Sequence, residues 1–402
     1  MSGSNPPGAR PPVPPETLPD ERARAYRTGN PGHDEARATQ VRGVDAVLGL
    51  EDLHVTVHDG AATALRGVSL AVHSGEIVGL VGESGSGKTL TCRAALGVLP
   101  PGVAARGKIT FAGDDVTDLS RRGWERLHGS HIGAVFQDPA SYLNPNLTVG
   151  SQVTEVLRVK RRLTRAKARE KAVELLTSVG LRQAERVFHQ IPAELSGGML
   201  QRVMIAIAIS CDPELLIADE ATTALDVTIQ AEIIELIKDL RDRAGLAVLF
   251  VSHDLAVIRE LCDRVIVFYA GEVVEAGPVE EIIERPRHPY TRALLRVASV
   301  GDFKRRELEV IPGQPPHVGE QITGCRFAGR CPAAIDACRA RDIALTRLSP
   351  AHEARCVRVN DPALSAASAA VDAPAAAPRT AAAPRTAAAA DVTAADQELA
   401  SR

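Results

Sequence analysis

Residues 79–91, GLVGESGSGKTLT, place a lysine and a threonine in a run that contains four glycines. They fit the pattern G-x-x-x-x-G-K-[ST], in which bare backbone N–H groups can curl around a phosphate. The lysine of this pattern reaches the β- and γ-phosphates, and the hydroxyl that follows it ligates Mg²⁺. The stretch therefore predicts a nucleotide cradle made of Gly82, Glu83, Ser84, Gly85, Ser86, Gly87, Lys88 and Thr89, with Thr89 also a Mg²⁺ ligand.

The segments on either side of the cradle supply the context that this chemistry requires. EIVGLV upstream has the character of a short buried strand, and TLTCRAALGVL downstream has the spacing of a helix. A strand, a glycine loop and a helix in this order bring the positive end of the helix dipole to the phosphate. A loop that only turns the chain is the alternative, and the complete pattern in this context disfavours it.

A second acidic site follows an apolar run at residues 214–221, ELLIADEA. Four apolar residues before two acids indicate a buried parallel strand, and ligands of open α/β sheets bind at the carboxyl ends of such strands. We expect Asp219 to hold Mg²⁺, mostly through water, and Glu220 to polarise the water that attacks the γ-phosphate. An exposed acid pair after any strand is the alternative. The predicted cradle at residues 82–89, called the phosphate loop below, makes that alternative less plausible.

Four further segments occur with the loop in a characteristic order: VFQDP with Gln137, LSGGMLQR from Leu195, TTALD ending at Asp226, and VSHDL with His253. Together they resemble the ATP-binding subunits of ABC transporters over roughly residues 48–360. The resemblance implies an α/β P-loop NTPase fold, that of the ABC ATPase domain with a helical subdomain. It also implies an enzyme that hydrolyses ATP.

The resemblance assigns roles to single residues as well. Gln137 is expected to contact Mg²⁺ and the attacking water, and His253 to contact the γ-phosphate and orient Glu220. The catalytic set is thus Glu220, His253 and Gln137, and the Mg²⁺ ligands are Thr89, Gln137 and Asp219.

The signature segment is expected to act across a pair of subunits. A serine and two glycines that open a helix make a second anion cradle. By the resemblance, Ser196, Gly197 and Gly198 cap ATP bound to the opposite subunit, and Asp226 belongs to the nucleotide site. The aromatic ring that usually stacks on adenine is missing, because LHVTVHDG offers only Val57 and His58.

Two segments indicate which transporters are most similar. PRHPYTRALLR at 286–296 and IPGQPP at 311–316 resemble the C-terminal region of ATPase subunits from oligopeptide and dipeptide importers. The implied partners are a second ABC ATPase subunit (identical or a paralogue), two transmembrane permease subunits and an extracytoplasmic solute-binding protein, at the cytoplasmic face of the cell membrane. A nickel or other-solute importer is the alternative. A soluble ABC-type ATPase is a further one, and it predicts a long coiled coil or a basic face.

Composition narrows these alternatives and divides the chain. The 402 residues carry 47 Lys+Arg against 50 Asp+Glu, so nucleic acid is not an expected partner. No apolar run approaches the roughly 20 residues that cross a bilayer. We predict a disordered leader at 1–45, an ABC ATPase domain at 48–285 with its helical subdomain at about 138–200, a C-terminal domain at 286–360, and a disordered Ala/Pro-rich tail at 361–402.

Four of the seven cysteines cluster near the C-terminus as C-x5-C-x6-C-x17-C: Cys325, Cys331, Cys338 and Cys356. A small loop-rich module usually needs a staple. Disulfides are disfavoured in a reducing cytosol, and structural zinc usually has C-x2-C pairs that are missing here. The wider gaps favour a [4Fe-4S] cluster, as does the resemblance to peptide-importer ATPases, with zinc as the alternative. A metal- or redox-sensing regulatory protein is a third hypothesis, which would leave the hydrolytic motifs without a purpose.

Overall fold

The computed structural model describes residues 46–222, 226–298 and 310–361. The predicted leader and all but the first residue of the predicted tail lie outside these ranges, as do Thr223, Ala224 and Leu225 of the TTALD segment. No helix within them is long and apolar enough to cross a membrane.

The described strands form two sheets. The smaller is antiparallel, in the order β2-β1-β4-β5, and the larger has the order β11-β12-β10-β9-β3-β8-β7-β6. The strands are β1 Ala46–Val57, β2 Ala62–His73, β3 Ile77–Val81, β4 Ala104–Phe111, β5 Asp114–Asp115, β6 Ile132–Val135, β7 Leu215–Asp219, β8 Ala247–Val251, β9 Arg264–Tyr269, β10 Glu272–Pro278, β11 Thr346–Arg347 and β12 Glu353–Ala354.

The described residues form twelve helices. They are α1 Lys88–Ala95, α2 Arg121–Leu127, α3 Pro139–Tyr142, α4 Val149–Lys160, α5 Arg165–Ser178, α6 Ala184–His189, α7 Gly197–Ile209, α8 Val227–Ala244, α9 Leu255–Leu261, α10 Val279–Glu284, α11 Pro289–Ala298 and α12 Ala337–Ala340. A short 3₁₀ turn spans Pro192–Glu194. Helices α3 to α6 lie within the segment for which the sequence predicts a helical subdomain.

Parallel pairing in the larger sheet determines where the functional loops meet. β3 pairs with β8 and β9, and β7 pairs with β6 and β8, all in parallel. β3, β7 and β8 are buried along their whole length, which explains their continuous apolar sequences. Their carboxyl ends lie at one edge of the sheet, where the phosphate loop, Asp219 and the His253 segment follow. The predicted α/β fold is confirmed.

Helix α8, which begins at the end of the TTALD segment, has an ordinary amphipathic pattern. Its apolar stripe buries Ile233, Leu236 and Ile237, and Gly245 ends the helix at a φ of 64°. Asp226 begins it, because its carboxylate accepts a hydrogen bond from the N–H of Ile229 at 3.0 Å.

The C-terminal segment, here residues 286–298 and 310–361, joins the larger sheet through β12, which pairs with β10. The fully buried Glu275 of β10 holds this segment in place. Its carboxylate accepts hydrogen bonds from the N–H groups of Arg287 at 2.6 Å and His288 at 2.9 Å, and lies 2.9 Å from Nε2 of His352. Burial alone would lower the pKa of His352, but Glu275 and Glu281 on its two ring nitrogens outweigh burial and raise that pKa. A buried carboxylate with three partners thus anchors residues that follow the central sheet.

Candidate active site

The glycines of the phosphate loop allow a backbone path that other residues would block. Gly82 has a φ of 145°, and a Cβ there would lie 2.2 Å from the carbonyl oxygen of Phe268 in β9. Gly87 caps α1 at a φ of 112°, so the loop ends where the helix dipole begins. This geometry is that of a backbone cradle for an anion.

Lys88 places its ammonium inside this loop and is only 6% exposed. Its Nζ donates hydrogen bonds to the carbonyl oxygens of Gly82 at 2.8 Å and Glu83 at 3.0 Å. Burial lowers the pKa of Lys88, while the charges of Glu220 and Asp219 oppose this shift. The loop therefore carries a buried cation next to two acids.

Thr89 and Asp219 bring two oxygen ligands together. The Thr89 hydroxyl donates to Oδ1 of Asp219 at 3.2 Å, although 130 residues separate them. Burial raises the pKa of Asp219, and the nearby charge of Glu220 raises it further, whereas the Thr89 hydrogen bond lowers it. Hard oxygen donors are what Mg²⁺ prefers, and a cation here would relieve the repulsion between the two acids. These residues fit the predicted Mg²⁺ site.

The three predicted catalytic residues lie together beyond the end of β7. Nε2 of Gln137 donates to Oε2 of Glu220 at 2.7 Å, and Nδ1 of His253 lies 3.8 Å from the same oxygen. Glu220 adopts a φ of 54°, and its N–H is held by the Val251 carbonyl at 3.1 Å. A left-handed conformation is costly for a glutamate, and such conformations concentrate at active sites. Backbone and side-chain contacts thus hold Glu220, the predicted catalytic base, beside Gln137 and His253.

The signature residues make contacts within their own helix and with α8. Ser196 caps α7 by accepting a hydrogen bond from the N–H of Met199 at 3.4 Å. Gly198 is required for packing, because a Cβ there would lie 2.6 Å from Cγ2 of Ile229 in α8. Across residues 46–222 and 226–298, no hydrogen bond or ion pair joins Ser196 or Asp226 to the phosphate loop. Their predicted nucleotide contacts therefore stay predictions.

The four clustered cysteines line one pocket, together with His288, Pro289 and Phe327. None of the four is joined in a disulfide. The Ile335 N–H donates to Sγ of Cys338 at 3.5 Å. Backbone N–H groups of Phe327, Ala333 and Arg358 donate to the sulfurs of Cys325, Cys331 and Cys356, respectively. Burial raises the pKa of Cys325 to about 11, an effect that the Phe327 N–H opposes. Over the three described ranges, however, no group of three or more His, Cys, Asp or Glu side chains is arranged to hold a metal ion.

Two residues at the phosphate loop are not predicted by any motif. The Tyr290 hydroxyl accepts a hydrogen bond from the N–H of Glu83 at 2.8 Å, and Arg330 binds the Glu83 carboxylate at 2.7 and 2.9 Å. They lie 207 and 247 residues from Glu83 along the chain. The segments that contain them, PRHPYTRALLR and GCRFAGRCP, carry no spacing that points to a nucleotide.

The strand, loop and helix around Lys88, with Asp219 and Glu220 at the carboxyl end of β7, which β8 separates from β3, define a P-loop ATPase. The family model of the ABC transporter matches residues 65–223, and that of the oligopeptide/dipeptide transporter C-terminal region matches residues 274–338. The chain belongs to the ABC transporter ATP-binding protein family.

Curated relatives match most of the chain. A "probable peptide ABC transporter ATP-binding protein" of Sinorhizobium fredii is 47% identical over 79% of this chain and 96% of the relative. A "probable D,D-dipeptide transport ATP-binding protein" of Escherichia coli is 44% identical over 73% of this chain and 90% of the relative. The oligopeptide transport ATP-binding protein OppD of Bacillus subtilis is 45% identical over 71% of this chain and 82% of its own length.

Solved structures agree with this assignment. The dimeric structure of MJ0796, a bacterial ABC transporter cassette, has a TM-score of 0.53 and 31% identity, and covers 58% of this chain and 98% of its own. The same cassette in a dimeric post-hydrolysis state bound to ADP and phosphate matches equally well. The predicted ATPase activity is confirmed at the level of the family.

Proposed function

We propose that this chain is the ATP-hydrolysing subunit that powers uptake of oligopeptides or dipeptides by an ABC importer. The observation that carries the proposal is the combination in one chain of the Glu220 site with a C-terminal region of the oligopeptide/dipeptide transporter type. The names of the curated relatives support the peptide class. Nickel is the alternative solute.

The side chains have distinct roles in the proposed reaction. Lys88 and the N–H groups of the loop bind the ATP phosphates, and Thr89, Asp219 and Gln137 would hold Mg²⁺. When bound, Mg²⁺ neutralises the charge that develops on the phosphates. Glu220 accepts a proton from the attacking water, and His253 contacts the γ-phosphate and keeps the carboxylate oriented.

The second half of each nucleotide site comes from a second ATPase subunit in this proposal. Ser196, Gly197 and Gly198 open α7, so their backbone N–H groups and the helix dipole suit an anion. With Asp226, which begins α8, they would cap ATP held by the phosphate loop of the facing subunit. The dimeric state of the matched cassette supports this arrangement.

The remaining partners are two transmembrane permease subunits and an extracytoplasmic solute-binding protein, which place the chain at the cytoplasmic face of the membrane. An exposed surface follows the catalytic Gln137. Phe136 stacks on Tyr142 of α3 with ring centroids 4.7 Å apart, and Tyr142 is 52% exposed. This surface is a suitable place for the site to report nucleotide occupancy to a permease.

Uptake measurements test the solute. In cells that lack this chain, we expect the wild-type gene to restore uptake of labelled di- and oligopeptides and to leave nickel uptake unchanged. A gene carrying Glu220→Gln should restore uptake of neither dipeptides nor oligopeptides, because hydrolysis drives the transport cycle. Restored nickel uptake with no effect on peptides would overturn the peptide assignment in favour of the alternative.

We also propose that Cys325, Cys331, Cys338 and Cys356 bind a [4Fe-4S] cluster, with zinc as the alternative. Four thiols in one pocket, each with a backbone N–H donor, fit a group that stabilises thiolate sulfur. The sulfurs would have to converge on the metal, because their arrangement in the structure is not that of a formed site. The cluster would serve as a structural clamp on the C-terminal segment.

Metal analysis tests this assignment. Anaerobically purified protein should be brown, with about four iron and four sulfide per chain, the cluster's own stoichiometry. Cys338→Ser should lose most of the iron, whereas Cys211→Ser, a buried cysteine elsewhere, should retain it. Colourless protein that is replete with zinc and free of iron would refute the cluster in favour of zinc.

A further inference from the structure

Glu83 is the residue at which the C-terminal segment contacts the phosphate loop. Its carbonyl oxygen accepts a hydrogen bond from Lys88 Nζ at 3.0 Å, and its N–H donates to Tyr290 at 2.8 Å. Its carboxylate is bound by both terminal nitrogens of Arg330. One loop residue thus connects the lysine of the cradle with two side chains from beyond the central sheet.

Arg330 is itself held rigidly. Its Nε donates to the carbonyl oxygen of Pro312 at 2.9 Å and its Nη2 to that of Ile311 at 3.0 Å. The guanidinium also lies 5.7 Å from the Tyr269 ring centroid and 5.9 Å from that of Phe327. Its side chain is 6% exposed. A two-point contact from an immobilised arginine fixes both the direction and the charge of its partner.

An aromatic cluster extends this support to the cysteine pocket. Tyr269, Tyr290 and Phe327 pack with centroids 4.6 to 5.4 Å apart, and all three are buried. Phe327 also lines the pocket of the four cysteines, and its N–H donates to Cys325. Cys331 follows Arg330 directly in the chain. Packed side chains and hydrogen bonds therefore connect the cysteine pocket to Glu83, through Phe327 and Arg330.

The negative charge of Glu83 makes its ion pair with Arg330 important for phosphate binding. A carboxylate one residue after Gly82 lies in a loop that receives the negative charge of ATP phosphates, and an unpaired carboxylate would repel them. We propose that Arg330 and Tyr290 are positioning residues for nucleotide binding: they neutralise and immobilise Glu83 so that the loop keeps the shape that places Lys88. This inference rests on the nucleotide-binding role of the loop, and the experiment below separates the two.

The test measures ATP affinity of the purified full-length chain, and KM and kcat for ATP of this chain paired with its second ATPase subunit. Arg330→Met should weaken ATP binding and raise KM about tenfold, with a smaller change in kcat. Adding Glu83→Gln to Arg330→Met should return the affinity towards the wild-type value, because the repelling charge is removed as well. Arg330→Lys, which keeps the charge without the two-point geometry, should be intermediate.

Two controls make the outcome decisive. Arg347→Met removes an exposed arginine of the same C-terminal segment, which pairs with Glu353 on the surface, and should leave KM unchanged. Lys88→Ala must weaken ATP binding, and if it does not, the phosphate-loop assignment fails rather than this proposal. Melting temperatures without nucleotide identify any variant that has merely unfolded, in which case Arg330→Lys gives the decision. Wild-type KM in folded Arg330→Met and Arg330→Lys, or no recovery in the double variant, would overturn the proposal.

Discussion

Glu220→Gln is expected to slow ATP hydrolysis by at least about 100-fold while Mg-ATP still binds. Glutamine preserves the shape of the side chain but cannot accept the proton of the attacking water. The backbone at φ 54° and the N–H contact to Val251 do not depend on the carboxylate, so the loop should keep its conformation. With hydrolysis blocked, the paired subunits should remain closed around ATP.

Phosphate release and size-exclusion chromatography with labelled ATP measure these two effects. Glu214→Gln is a matched control, because it makes the same substitution just before β7, at the opposite end of the strand, where the side chain pairs with His131 on the surface. That control should hydrolyse ATP at the wild-type rate. Near-normal turnover in Glu220→Gln would show that another group is the base.

Lys88→Ala should weaken ATP binding by about 10- to 100-fold. Hydrogen bonds to charged groups contribute about 1.5–3 kcal/mol, and about 1.4 kcal/mol corresponds to a factor of ten in Kd. The variant also leaves the Gly82 and Glu83 carbonyls without the donor that they share, so the loop itself loses support. Both effects act in the same direction on affinity.

Titration with a fluorescent ATP analogue measures this loss. Lys171→Ala, which removes an exposed lysine of α5 paired with Glu174, controls for the loss of a positive charge and should bind normally. A melting temperature recorded without nucleotide separates a weakened site from an unfolded chain. Unchanged ATP affinity in a folded Lys88→Ala protein would contradict the cradle.

Local patterns in the sequence predicted the elements of the site well. A glycine loop between a strand and a helix, and two acids after an apolar run, each follow from short segments, and parallel pairing then brings them together. The Thr89 to Asp219 contact follows in this way, even though 130 residues separate the two. The meeting of Gln137, Glu220 and His253 followed from the resemblance to a family.

Contacts that depend on tertiary packing alone could not be predicted. Nothing in the sequence near Arg330 indicates a partner 247 residues away, because a two-point contact depends on side-chain geometry and not on periodicity. For the same reason, the pairing of β12 with β10 and the buried Glu275 were not expected from the pattern. Asp226 illustrates a second limit of motifs, since in the single chain its visible role is to cap α8.

The most direct test of the whole account is ATP hydrolysis by the purified complex of this chain with its permease, second ATPase subunit and solute-binding protein in lipid vesicles. We expect peptide-loaded binding protein to stimulate hydrolysis several-fold over peptide-free binding protein, and Glu220→Gln to abolish the stimulated rate. A hydrolysis rate that is unchanged by peptide-loaded binding protein but rises with nickel-loaded binding protein, or with DNA or ribosomes, would contradict the peptide-importer assignment.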